Sequence, residues 1–145
     1  MNQKDVTTIL AKCSAYDNRK PAQATVAAWM DALDDMPLAD ALQFVTDHYR
    51  TSREWIMPAD LNREWQQLRA ARQRAISEAD RPVAPGDLSP EQFLTFRRAL
   101  TRAVSEGVPV GGLEAVAYAA IGREPEPKQI NQPVTIDYNQ IGHKA

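Results

Sequence analysis

Residues 21–68 read PAQATVAAWMDALDDMPLADALQFVTDHYRTSREWIMPADLNREWQQL, and three prolines divide the stretch. Pro21 precedes an apolar-periodic run over 22–36, Pro37 one over 38–50, and Pro58 one that starts at 59. Proline lacks an N–H, and first-turn N–H groups have no intrahelical acceptor in any case, so a proline ahead of a periodic run marks a helix start. In the first run Val26, Trp29, Met30 and Leu33 share a face while Asp31, Asp34 and Asp35 project elsewhere. Leu38, Ala41, Leu42, Val45 and Tyr49 repeat the pattern in the second, and the short connection folds the two helices back on each other. The third carries Leu61, Trp65 and Leu68 and continues to about Ser77. It turns arginine-rich at Arg69, Arg72 and Arg74, where positive charge suits the negative end of the helix dipole. Residues 51–57 form a loop with apolar bulk at Trp55, Ile56 and Met57.

Outward from this block, Asn2 caps a first helix with Asp5 three residues on. Val6, Ile9, Leu10, Cys13 and Tyr16 follow at helical spacing, and the helix ends near Asp17-Asn18. On the other side, residues 80–88 hold Pro82, Pro85 and Gly86 and read as a linker. Ser89, Pro90 and Glu91 then open a fifth helix through Phe93, Phe96, Leu100, Ala103 and Val104, closed by Gly107. A sixth runs over 113–121 and stops at Gly122, with Gly111-Gly112 acting as a helix breaker. Two helices of this size bury little alone, so they pack on the first four, in a dimer, or on a partner. From residue 123 the chain is polar and proline-rich, although Val134, Ile136 and Tyr138 alternate with polar residues at strand period. A disordered tail is the expected reading, and a peptide that docks on a partner the sharper one. The expectation is an all-α chain: an N-terminal four-helix bundle over 1–79, a linker over 80–88, a helical hairpin over 89–122 and a disordered or partner-binding tail over 123–145.

Composition narrows the function classes. The 145 residues are 43% hydrophobic and 25% charged with a net charge of −2, which argues against a surface that wraps duplex DNA, since that needs a concentrated basic face. No apolar run is long enough to span a bilayer and the N-terminus lacks a signal-peptide core, so the expected compartment is the cytoplasm. The single cysteine, Cys13, has no internal disulfide partner and reads as a small buried hydrophobe. His48 and His143 are far apart without metal-ligand spacing, and no glycine-rich phosphate loop is present. No cofactor or metal is implied. No nucleophile, base and orienting group can be named together, so the chain is not expected to be an enzyme.

The residues that remain are contact candidates. Asp31, Asp34 and Asp35 read as an acidic, protein-facing surface. Trp29 and Trp65 occupy core positions, whereas Trp55 lies in a loop as a candidate contact residue. Arg97, Arg98 and Arg102 lie on the fifth helix, with Arg98 and Arg102 on one face, and either touch a partner or form salt bridges with flanking Glu91 and Glu106. In the tail, Ile136 and Tyr138 are the candidates.

The arrangement Tyr16, Trp29 and Leu33 before Asp34-Asp35, Ala41-Leu42, Tyr49 and then Ile56-Met57-Pro58-Ala59-Asp60-Leu61 resembles the bacteriophage replicative-helicase loader and inhibitor family, over the first half of the chain. The resemblance implies a small all-helical N-terminal domain, no ATPase, and binding to a DnaB-type hexameric helicase that is held inactive while being delivered to an origin-bound initiator. This chain departs from the family pattern by carrying a linker, a helix pair and a further tail where the family has a short flexible tail. Three function classes follow: a helicase-loading or helicase-regulating adaptor; a small nucleic-acid-binding or transcription-regulating protein using Arg97, Arg98 and Arg102; and a structural module assembling as a homo-oligomer.

Overall fold

The computed structural model of the protein describes residues 1–125; Ile136 and Tyr138 lie outside them. The described residues form six α-helices and contain no strand: α1 (Gln3–Asp17), α2 (Gln23–Ala32), α3 (Leu38–Thr51), α4 (Pro58–Ala75), α5 (Pro90–Ser105) and α6 (Val110–Ala119). No helix among them is long and apolar enough to cross a membrane.

The helix starts are set locally. Asn2 Oδ1 accepts from Asp5 N–H at 2.9 Å while Asp5 returns the bond to Asn2 N–H, and Ser89 and Gln92 make the same reciprocal pair at the head of α5. The prolines act less uniformly than their sequence positions suggest. Pro58 is inside the first turn of α4, Pro37 is the residue flanking α3, and Pro21 lies outside α2, whose N-cap is Ala22.

α2 is also shorter than its periodicity predicts, ending at Ala32 rather than Met36. Leu33 turns to extended backbone, and both Leu33 and Met36 reach the core from the irregular segment. Asn62 of α4 stabilises this early stop, donating from Nδ2 to Ala32 O at 2.8 Å and accepting from Asp34 N–H at 2.9 Å. A side chain from another helix thus takes over groups that a helix end leaves without partners.

Two apolar clusters result. Val6, Ile9, Leu10, Cys13, Trp29, Leu33, Met36, Ala41, Val45, Ile56, Leu61 and Trp65 form the first, enclosed by α1–α4. Burial pushes the Cys13 thiol up to about 11. Phe96, Leu100, Ala103, Val104, Leu113 and Ala117 of α5 and α6 form the second, where Phe96 meets Tyr118 edge-on at 5.6 Å.

The segment between the two clusters is more than a tether. It has a 3₁₀ turn at Glu78–Asp80, and Ala84 and Leu88 pack into the second cluster. Arg81 donates to Gln73 O at 3.0 Å, and Asp87 pairs with Arg123 beyond α6. Of the three placements open for α5 and α6, the structure has α5 against α4. Arg72 of α4 clamps the Asp40 carboxylate at 2.8 and 2.9 Å and donates to Ser105 O at 2.8 Å, while Gln73 reaches Thr101 O.

Gly107 and Gly122 close α5 and α6 at positive φ, +81° and +70°, where a side chain would be strained. Gly111 and Gly112 correct the expectation, because both lie within the first turn of α6 and break nothing. The helix starts earlier because Pro109 is its N-cap, and Gly112 N–H bonds Pro109 O at 2.8 Å.

Candidate functional site

The most built polar site among the described residues lies where α1 ends. Asn18 adopts the left-handed conformation (φ 57°), open to asparagine at modest cost, and this reversal turns Arg19 back onto Asp17. The Arg19 guanidinium grips the Asp17 carboxylate from Nε at 2.8 Å and also from Nη2, and Arg19 N–H adds a bond at 3.1 Å. Nη2 continues to Tyr49 Oη and Ile56 O, each at 3.1 Å, and Tyr49 Oη donates to Asp17. The side chains of Asp17 and Arg19 are only 3% and 6% exposed, so this is a buried ion pair with its hydrogen bonds filled.

The electrostatics follow from the contacts. Burial alone raises the Asp17 pKa, but hydrogen bonds from Arg19 and Tyr49 outweigh it and hold the carboxyl at about 2. Arg19 moves the other way: burial opposes its charge, the bonds to Asp17 favour it, and the net shift is upward. Burial and donation to Asp17 raise Tyr49, which keeps it a phenol. Near neutral pH no member of the network exchanges a proton, so the site offers rigidity rather than acid–base chemistry.

Rigidity is passed to the surface through aromatic rings. Arg19 lies 5.5 Å from the Trp29 ring centroid and 4.9 Å from that of Trp55, so one tryptophan is in the core and the other outside on the same cation. Trp55 remains 58% exposed, and Tyr16, 49% exposed, stacks on Tyr49 at 4.8 Å. An exposed tryptophan seated on a fixed cation has little conformational freedom left to lose.

The other candidates fall in different places. Asp31 is exposed on α2, but Asp34 and Asp35 lie beyond the end of that helix and do not share its face. Asp34 accepts from Gln66 at 2.8 Å, and Asp35 accepts from the Met1 ammonium at 2.9 Å and from Arg102 at 3.3 Å. Two of the three acidic residues are thus tied within the fold.

Arg97, Arg98 and Arg102 are all exposed on α5 and line one groove with Asp35. Arg102 is neutralised by Glu106 at 2.7 Å and by Asp35, which removes one of the three cations available to a phosphate backbone.

A second cleft of about 440 Å³ between α3 and α4 holds His48, whose Nε2 lies 2.8 Å from Glu54 O. Asp47 and Asp60 in that cleft are paired with Arg50 and Arg63, so no free carboxylate stands beside the imidazole. No group of three histidine, cysteine or acidic residues able to hold a metal occurs among the described residues.

Asp17 and Arg19 were not singled out by sequence reading. Their only local signal is an acid and an arginine flanking an asparagine at a helix end, while the partners Tyr49 and Trp55 are thirty or more residues away. No protein-family model, curated protein or solved structure matches this chain.

Proposed function

We propose that the protein is a non-enzymatic DNA-replication adaptor that binds a DnaB-type hexameric helicase and loads or regulates it. The observation that carries the contact role is Trp55, more than half exposed and seated on the buried Arg19. Tryptophan is among the residues most enriched at interfaces and in their hot spots, and one already held in place loses little freedom on contact. The helicase as partner rests on the resemblance of residues 16–61 to the loader and inhibitor family, whose members have no ATPase.

In this reading residues 1–79 are a helical bundle domain that presents Trp55, and 89–122 are a helical hairpin joined to it through 80–88. The tail from 123, with Ile136 and Tyr138, adds a further contact, and an origin-bound initiator is the second partner. The protein works in the cytoplasm, away from membranes.

The test uses the full chain and the DnaB-type helicase of the same genome, in a pull-down and an unwinding assay. Expected are a stable complex, an altered unwinding rate, and a loss of affinity of about tenfold or more in Trp55→Ala, the size of a hot-spot truncation. An unchanged circular dichroism spectrum of the variant assigns that loss to contact. A full chain that neither binds the helicase nor alters its unwinding rules the reading out.

A further inference from the structure

A groove of about 740 Å³ runs between α4 and α5 on a surface separate from Trp55. Its lining combines exposed apolar bulk with arginines that have no acidic partner. Phe93 and Leu94 are 43% and 52% exposed, although both are large and apolar. Beside them, Arg69, Arg97 and Arg98 form no hydrogen bond or ion pair with any described residue, and Arg97 lies over the Phe93 ring at 6.0 Å. The groove's two carboxylates are already paired, Glu106 with Arg102 and Asp35 with Arg102 and the Met1 ammonium, so the charge left over is positive.

The spacing along α5 gives the patch a direction. Phe93 and Arg97 are four residues apart, as are Leu94 and Arg98, so each apolar side chain is followed one turn later by an arginine on the same face. We propose that this groove seats an acidic amphipathic helix of a partner protein, with apolar side chains on Phe93 and Leu94 and carboxylates on Arg69, Arg97 and Arg98.

A helix laid along the seam of two others is a recurrent recognition mode, read through apolar anchors at i, i+3, i+4 and i+7. Arginine forks match carboxylates in paired hydrogen bonds, which fixes the register of such a helix. Nucleic acid fits less well. Leu94 offers no ring for a base to stack on, and three arginines free of ion pairs, in a chain of net charge −2, are few for a phosphate backbone. The proposal concerns a different surface from Trp55 and stands whether or not the partner is a helicase.

The probe is a fluorescein-labelled, end-capped peptide of about 18 residues, long enough to populate a helix, with leucines at i, i+4 and i+7 flanked by glutamates. Fluorescence anisotropy with the full chain measures its affinity. Expected is saturable binding that weakens at least about tenfold in Arg69→Glu/Arg98→Glu and in Phe93→Ala but not in Trp55→Ala. A second peptide with every glutamate replaced by glutamine tests the same charge contact on the unaltered protein, and it too binds at least about tenfold more weakly. Three results overturn the proposal: no saturable binding of the acidic peptide, equal binding of the glutamine peptide, or tighter binding of a DNA duplex of about 20 base pairs than of the acidic peptide.

Discussion

Arg19 is held by a carboxylate, a phenol, a carbonyl and two indole rings, and its removal strands the carboxylate. Arg19→Met leaves Asp17 buried and charged without its partner, a loss of about 3–5 kcal/mol that urea unfolding at pH 7 measures. The pH dependence carries a sign that identifies the group. In the native protein Asp17 titrates at about 2 against an ordinary 3.8, so its contribution is complete above about pH 4 and is lost as the pH falls through 2. That contribution is about 2 kcal/mol. Without Arg19 its side-chain bond and charge no longer offset burial, so the carboxyl titrates higher in the variant than in the native protein. The variant is then protonated first as the pH falls, and the stability gap to the native protein narrows between pH 7 and pH 3. A gap that stays constant over that range shows that Asp17 is not the stranded group.

Helix ends are where single residues decide an element. Ser89→Ala removes one half of the reciprocal cap at the head of α5, and the expected loss is about 1 kcal/mol in denaturant unfolding. The glycines of α6 make a paired prediction. A Cβ on Gly111 meets nothing within 4 Å, whereas one on Gly112 comes within 3.2 Å of Val108 Cγ1. Gly111→Ala therefore stabilises by up to about 1 kcal/mol, because alanine loses less conformational freedom in a helix. Gly112→Ala gains less or turns unfavourable, and differential scanning calorimetry ranks the two. Gly107→Ala destabilises, since its φ of +81° is costly for any side chain. Patterns of this kind are legible in sequence where cap and helix are neighbours, as at Asn2, Ser89 and Gly107. They fail at α2, whose early end is fixed by Asn62 from another helix.

At the scale of the whole molecule, Arg72 joins the two cores. It lies 6.0 Å from the Trp65 ring on the first, clamps Asp40 of α3, and holds the end of α5 through Ser105 O. Its side chain and that of Asp40 are 26% and 18% exposed, so the pair is better shielded than a surface salt bridge. Arg72→Ala is expected to cost about 2 kcal/mol and to loosen the coupling of the cores. All three tryptophans, at 29, 55 and 65, belong to α1–α4 or its loops, while circular dichroism reports every helix. Urea curves by tryptophan fluorescence and by circular dichroism coincide for the native chain and separate for the variant. Coincident curves in the variant show that other α4–α5 contacts suffice. The exposed Arg102–Asp35 pair also bridges the two cores, but both side chains are more than two-thirds exposed and water screens it.

Sequence alone determined the six helices of the described residues and the burial of Trp29, Trp65 and Cys13, because helical periodicity and caps act between residues three or four apart. It also placed Arg97 and Arg98 one turn after Phe93 and Leu94, without showing that Arg69 faces them from α4. Only tertiary structure closed the Asp17–Arg19–Tyr49 network, seated Trp55 on its cation, stopped α2 at Ala32 and packed α5 on α4. Those contacts join residues about thirty or more positions apart, where no periodicity reaches. Chain reversal at one left-handed asparagine and the meeting of two helices bring them together.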